Sequence, residues 1–364
     1  MSWVPADWAL ATTHLASDYV CCQFYAIVGV TPKVLPPPEL DVVLMLGCSH
    51  LARILVNAYL NPVTINFDMT RYSEVLQKQE RGVNSGHEEF LLTRYPPDCE
   101  IILECPAVVL DKFGLIMLWY LPRAIDAAIQ NDMLSAMMMM SGLLGKSITH
   151  GTSPKEKWRT HESNFQISEH GLTSGCINLS PEWFLQAHPF QPEVLATLKS
   201  DNGVAYCRAM CRPVPLFAAA LRVMHSGLYW GIIDNTTGAW AHGESPQRMG
   251  ICIYQLSAID VATGITPLHR DALSRAQWFD IMTSVGGYTI GANEDAKYWI
   301  EIAYNPGVMA GTSGRIVRHG GNWVNSDRVG WVWYMRDDIH EFVDVPRGDY
   351  SRYKSVVTDA MEFT

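Results

Sequence analysis

From about Gly250 onward the chain changes rhythm, and that change limits most tightly what it can fold into. Ile251, Ile253 and Gln255 alternate with Cys252, Tyr254 and Leu256. Tyr298, Ile300, Ile302 and Tyr304 alternate with Trp299, Glu301 and Ala303. Arg328–Arg336 is rich in Val, Trp and Tyr, and glycine and proline separate the runs. Period two belongs to strands, because successive side chains point to opposite faces of a sheet. Short strands split by turn residues predict a β-sandwich or barrel in the C-terminal third.

Upstream the pattern is helical. The run Phe217-Ala218-Ala219-Ala220-Leu221 has strong helix propensity, and helices are expected over Pro192–Ser200 and Val214–His225. Residues 107–145 read as helical and buried, with Met137 to Met140 filling irregular core space. The apolar density from Glu39 to Asn57 fits a buried strand or helix. Leu35-Pro36-Pro37-Pro38 closes a first segment that cannot continue a helix there, so 1–40 is expected as an arm on the body. A mainly helical region over 41–165, a core over 166–350 and a tail over 351–364 complete the division. The chain has 364 residues, 48% of them apolar and 18% charged, enough for a sizeable core and too apolar for a disordered or fibrous chain.

The apolar stretches near 107–125 and 133–144 are too short or too interrupted to span a bilayer, and no membrane partner is expected. No N-terminal signal is expected either, since Met1 to Leu10 lacks a basic start and an apolar run. Nine cysteines exclude a complete disulfide framework and read as reduced thiols. Net charge of −10 argues against nucleic-acid binding by bulk charge. It leaves room for a local basic face. Residues 146–163 read as an exposed loop in which Lys155, Lys157, Trp158 and Arg159 could contact phosphates, or simply be solvated. Arg71, Lys78, Arg81 and Arg94 would extend the same face.

The residues that carry chemistry are His269-Arg270-Asp271, His319 and Arg328. His269 and Asp271 are two apart, so on a strand they project to one side and one metal could take both. His319 follows fifty residues later, after the strand-like run Gly314–Arg318. Two histidines and a carboxylate make the facial triad of non-haem Fe(II) oxygenases, with open positions for co-substrate and O2. Arg328 comes nine residues further on, where a guanidinium can grip the distal carboxylate of 2-oxoglutarate with two parallel hydrogen bonds.

Thr266-Pro267-Leu268-His269-Arg270-Asp271, with Ser274-Arg275-Ala276 and Trp278, resembles the TET/JBP family of Fe(II)- and 2-oxoglutarate-dependent DNA dioxygenases, in its fungal branch. So do Tyr304-Asn305-Pro306-Gly307-Val308, Arg315–Gly320, Asp327-Arg328-Val329 and Tyr334–Glu341. The similarity is firm over about 170–345 and thin before that. It implies an α+β chain with a double-stranded β-helix (jelly-roll) core flanked by helices. It implies Fe(II) on His269, Asp271 and His319, and 2-oxoglutarate on Arg328. The substrate would be a methylated base of DNA, chiefly 5-methylcytosine, flipped out of the duplex to reach the metal. N6-methyladenine demethylation needs the same centre. A nuclear location and a monomeric enzyme go with the resemblance.

Strand alternation puts Arg336 on the face of Arg328, with Asp337 just beyond. Asp337 could accept from the exocyclic amine of cytosine or adenine, or cap a solvated turn. Arg275 and Trp278 could shape the pocket, and Asn178, His188, Arg248 and Asn322 are weaker border candidates. Two other readings remain. One is the same chemistry on RNA, protein or a small molecule; the other is a binding protein that kept the fold.

Overall fold

In the computed structural model the described part of the expected N-terminal arm is a helix packed on the body. Ala6–Val28 forms helix α1, and Ala16, Val20 and Phe24, spaced by four, are fully buried along it. The structure describes residues 6–29, 39–77, 85–95, 101–151, 159–165, 168, 171–180, 183–185, 188–241, 256–261, 266–271, 274–289, 300–322, 324–335, 337–344 and 347–358. Pro36–Pro38, which suggested the arm, lie outside them.

The apolar run after Glu39 is helix α2, Val42–Tyr59. Asp41 caps it, its side chain accepting the N–H groups of Val43 and Leu44 at 3.1 and 3.2 Å. By length and composition α2 is long and apolar enough to cross a membrane. Here Leu44, Leu51, Leu55 and Val56 are buried against α1 and the sheet, while Val42 and Leu46 face outward. That is the pattern of a core helix at the edge of a globule.

β1 (Pro62–Thr64), α3 (Met69–Gln77), α4 (Ser85–Arg94), β2 (Ile101–Leu103), β3 (Ala107–Leu110), β4 (Ile116–Leu121), α5 (Ala127–Met139) and α6 (Ser141–Ser147) follow. The helix expected over 107–145 therefore holds only in its second half. Val108, Val109, Trp119 and Tyr120 suit a pleated, fully buried surface, and burial on both faces hides the period-two signal. Asp111 makes the hairpin turn, its buried carboxylate accepting from Phe113 and Leu115 at 2.8 and 2.9 Å. Met133, Met137 and Met140 are buried as core filling, whereas Met138, expected with them, is exposed.

The chain continues through β5 (Gly175–Leu179), β6 (Trp183–Leu185), β7 (His188–Glu193), α7 (Ala196–Lys199), α8 (Asp201–Ala209), α9 (Pro213–Met224) and α10 (Ser226–Ala241). Then come β8 (Leu256–Val261), β9 (Thr266–His269), β10 (Asp280–Gly286), β11 (Ile300–Ile302), β12 (Val308–Thr312), β13 (His319–Gly321), β14 (Arg328–Tyr334) and α11 (Asp337–Val343). The helix expected over 192–200 shrinks to α7, because Pro192 and Glu193 end a strand. All twelve residues of α9 are buried, including Arg222, which pairs with Asp18 of α1 and lies over the rings of Tyr229 and Trp230. A buried charge needs such partners.

The fold is mixed α+β. Eight strands form one sheet in the order β1-β3-β4-β12-β10-β14-β8-β5, and β11–β2, β13–β9 and β6–β7 form two-stranded ladders. Because β1, β3 and β4 share a sheet with β10, β12 and β14, the 41–165 region and the 166–350 region are one body. The tail is docked as well: Tyr353 stacks on Tyr59 at 4.7 Å and donates to its carbonyl oxygen at 2.6 Å. Val285, Val329, Trp331 and Trp333 point to the helix-covered face. Strand alternation and the register Gly286↔Arg328 then turn Asp280 and Arg328 to the opposite face.

Two predictions follow from this packing. Leu51→Ala should cost about 2–5 kcal/mol and Leu46→Ser less than about 0.5 kcal/mol, read by denaturant unfolding; equal costs would contradict the sidedness of α2. Fully buried His225 has both ring nitrogens engaged, one beside the Gln277 carbonyl at 3.0 Å and one accepting Leu228 N–H at 3.2 Å. Burial lowers its pKa to about 4. A depressed histidine is neutral in the fold and takes up a proton on unfolding, so stability is lost as pH falls from about 6.5 toward 4. Going from pH 7 to 5 should remove roughly 2 kcal/mol, and His225→Asn should flatten that slope in thermal melts.

Candidate metal centre

In the β9–β13 ladder His319 is the direct antiparallel partner of His269. Directly opposed residues hold their Cβ atoms about 5 Å apart, so the two imidazoles must meet. Their ring centroids are 4.4 Å apart with planes inclined at 56°. β9 ends at His269, and Asp271 is fixed just past it: its N–H donates to Gly314 O at 2.8 Å and its C=O accepts from Ser274 N–H at 3.1 Å. Asp271 Oδ1 then lies 3.8 Å from His269 Nε2, and Oδ2 lies 3.5 Å from His319 Nε2. One ligand atom from each of the three residues falls within 4.8 Å of the others, a group that can hold a metal ion. His319 Nδ1 sits 3.0 Å from Val317 O, which takes the Nδ1 proton and leaves Nε2 as the ligand.

The run Gly314–Arg318, expected as a strand, is a turn. Ile316 and Val317 both donate N–H to Ser313 O, at 3.0 and 2.8 Å. The turn presses Gly314 between two carboxyl groups: a Cβ there would meet Asp280 Oδ2 at 2.2 Å and Asp271 Oδ2 at 2.9 Å. Asp280, at the head of β10, is 1% exposed, and among the described residues its Oδ2 has no hydrogen-bond partner. Burial, then the charge of Asp271, pushes its pKa up to about 8, so it stands behind the site as a neutral acid. Burial also works against ionisation of Asp271, yet the His319 contact and the charges of His319, His269 and Arg159 hold its pKa below the usual carboxylate value. For His319, burial is outweighed by its hydrogen bond to Asp271, and its pKa is raised.

Two imidazoles, one carboxylate and an orphaned buried carboxyl oxygen behind them fit a divalent transition metal with open coordination positions. Arg328, at the start of β14, approaches the far end of β13. Arg328 is 8% exposed, and its guanidinium donates to Asn322 O at 3.0 Å. A Cβ on Gly321, two residues past His319, would lie 3.2 and 3.4 Å from its terminal nitrogens.

The other expected residues are placed differently. Asp337 opens α11, and Arg275 grips both its oxygens at 2.5 and 2.7 Å while Arg347 adds a bond at 3.0 Å. Arg275 also lies over the Trp278 ring at 5.4 Å. A base amine at Asp337 would therefore compete with two guanidinium groups. Arg159, expected among phosphate contacts, reaches Asp271 Oδ1 at 2.9 Å. Arg336, Lys155, Lys157, Trp158 and Arg248 lie outside the described residues, as do Lys78 and Arg81. Asn322 contributes its carbonyl rather than its side chain, and no disulfide joins the described cysteines. Sequence reading passed over Asp280 and Gly314. The signal for Asp280 was a lone acid inside the apolar run Trp278–Val285.

No family model and no curated protein matches this chain. A solved structure, NgTET1 in complex with 5mC DNA, superposes with a TM-score of 0.40 at 13% identity, covering 81% of this chain and 96% of that one. A likeness that loose leaves the argument with the residues themselves.

Gly314→Ala should weaken metal binding by about tenfold or more, because the methyl must displace Asp271 or the Asp280 carboxyl behind it. Calorimetric titration with Co(II) measures this, and an unchanged affinity would mean that the close approach does not set the ligand geometry.

Proposed function

We propose that this chain is an Fe(II)- and 2-oxoglutarate-dependent dioxygenase that oxidises methyl groups on DNA bases. The observation that carries the proposal is the meeting of His269, Asp271 and His319 on and just beside one short ladder whose last residue, Gly321, lies against the guanidinium of Arg328. Iron held by those three residues would supply the redox chemistry for hydroxylating a methyl group with O2 and 2-oxoglutarate. Arg328 would take the distal carboxylate of 2-oxoglutarate through paired N–H donors, its position fixed by Asn322 O. Asp280, as a neutral acid, would keep a second negative charge away from Asp271. In this reading the core is a double-stranded β-helix, the eight-stranded sheet forming one wall and the β9–β13 ladder part of the other.

The substrate would be 5-methylcytosine, taken to 5-hydroxymethylcytosine and further. N6-methyladenine would lose its methyl group at the same centre, since a hydroxymethyl group on nitrogen collapses to formaldehyde. A methyl group inside a duplex cannot reach the ligands, so the base flips, at a cost of a few kcal/mol of unstacking that the pocket offsets. Contacts from Arg275, Arg336 and Asp337 to the base, and from Lys155, Lys157 and Trp158 to phosphates, belong to this proposal, as do a monomeric enzyme and a nuclear location. The net charge of −10 favours a second reading, the same chemistry on RNA, protein or a small molecule.

The test incubates the protein with Fe(II), ascorbate and 2-oxoglutarate on duplexes carrying 5-methylcytosine or N6-methyladenine, with nucleosides read by mass spectrometry. Hydroxymethylcytosine, or unmethylated adenine with formaldehyde, should form and be lost in His269→Ala. Arg328→Ala should raise the KM for 2-oxoglutarate by roughly tenfold or more, in line with losing a charge-assisted pair. Turnover of 2-oxoglutarate that neither duplex stimulates would move the assignment to the second reading.

A further inference from the structure

The two oxygens of Asp271 face different partners. Oδ2 lies 3.5 Å from His319 Nε2, while Oδ1 lies 3.8 Å from His269 Nε2 and accepts from Arg159 Nη2 at 2.9 Å, across 112 residues of sequence. The backbone that delivers Arg159 is itself pinned. Thr149 N–H donates to Thr160 O at 2.8 Å, Glu162 N–H donates to Thr149 O at 3.2 Å, and Thr149 bridges His161. His161, two residues beyond Arg159, is buried and accepts Ser163 N–H at 3.1 Å, capping the short turn Glu162–Asn164.

We infer that Arg159 is a positioning residue of the metal site, holding Asp271 Oδ1 so that Oδ2 alone is presented to the metal. The inference rests on reading the triad as a metal centre. A carboxylate can bind a metal through one oxygen or through both. An Asp271 bound through both would take a fourth position, one of the three that a facial triad leaves open for co-substrate and O2. A charge-assisted bond to Oδ1 competes with metal binding through that oxygen and leaves Oδ2 as the stronger donor.

Two effects of Arg159 oppose each other. Its positive charge repels a cation, and its hydrogen bond orients the ligand. The Arg159 side chain is 51% exposed, so water and salt screen the repulsion, whereas the hydrogen bond acts on the ligand directly. Outer partners of metal ligands contribute about 10–100-fold in affinity, so orientation wins.

The test uses Co(II) alone as the probe, by calorimetric titration and visible ligand-field absorption. Wild type is compared with Arg159→Ala, Arg159→Lys and Arg159→Gln, each checked for an unchanged melt. Arg159→Ala should bind Co(II) about tenfold or more weakly and with an altered spectrum. Arg159→Lys and Arg159→Gln, which keep an N–H donor, should recover part of both. Wild-type affinity and a superimposable spectrum in Arg159→Ala would overturn the role of Arg159 and leave the metal centre standing. A wild-type protein that binds no Co(II) would overturn the metal-centre reading and this inference with it.

Discussion

The cross-strand pairing of His269 with His319 is the constraint on which the rest of the site depends. Fifty residues separate the two histidines, so nothing local in the chain brings them together. A two-strand ladder sets their separation by backbone hydrogen bonding rather than by side-chain choice. Once they are opposed, only the third ligand needs placing, and the Asp271 N–H to Gly314 O bond does that from the next turn of chain. The turn 313–317 thus has two tasks: it ends the sheet strand β12 and carries the chain back across the face where the ligands collect.

Charge is arranged in two different ways in the same body. On the helix-covered face Arg222 is buried inside an otherwise apolar helix and is answered by Asp18 and two aromatic rings. On the opposite face Asp280 and Asp271 crowd a glycine, and one of them stays protonated because two carboxylates that close in a buried place cannot both ionise. Arg328 and Arg159 approach that face from different segments, one buried on a central strand and one half-exposed beside the ligand. The result is two arginines beside a donor set of two imidazoles and one carboxylate, on a chain whose overall balance is acidic.

Strands with one solvated face were legible, and strands buried on both faces were not. β14 and β11 announced themselves by residue pattern in runs that glycine and proline separate, whereas β12, buried throughout, did not. β3 and β4 read as helix because every residue in them is buried, which erases period two and leaves a run of apolar residues either element would bury. Helix α1 was hidden by the prolines that follow it, since a break at 36–38 says nothing about residues 6–28. The triad and Arg328 were legible because chemistry restricts which residue types can do the work. Asp280 and Gly314 were not, because their importance lies in what stands next to them.

The sequence by itself determined the α+β character, the candidate ligands and the arginine that follows them, through spacing and residue chemistry that any fold would have to respect. Only the tertiary structure decided that 41–165 and 166–350 share one sheet, that Asp337 is held by Arg275, and that Arg159 reaches a ligand rather than open solvent. Those facts concern contacts between residues far apart in the chain. Local propensity and periodicity act over a few residues, whereas register and packing fix which distant side chains meet.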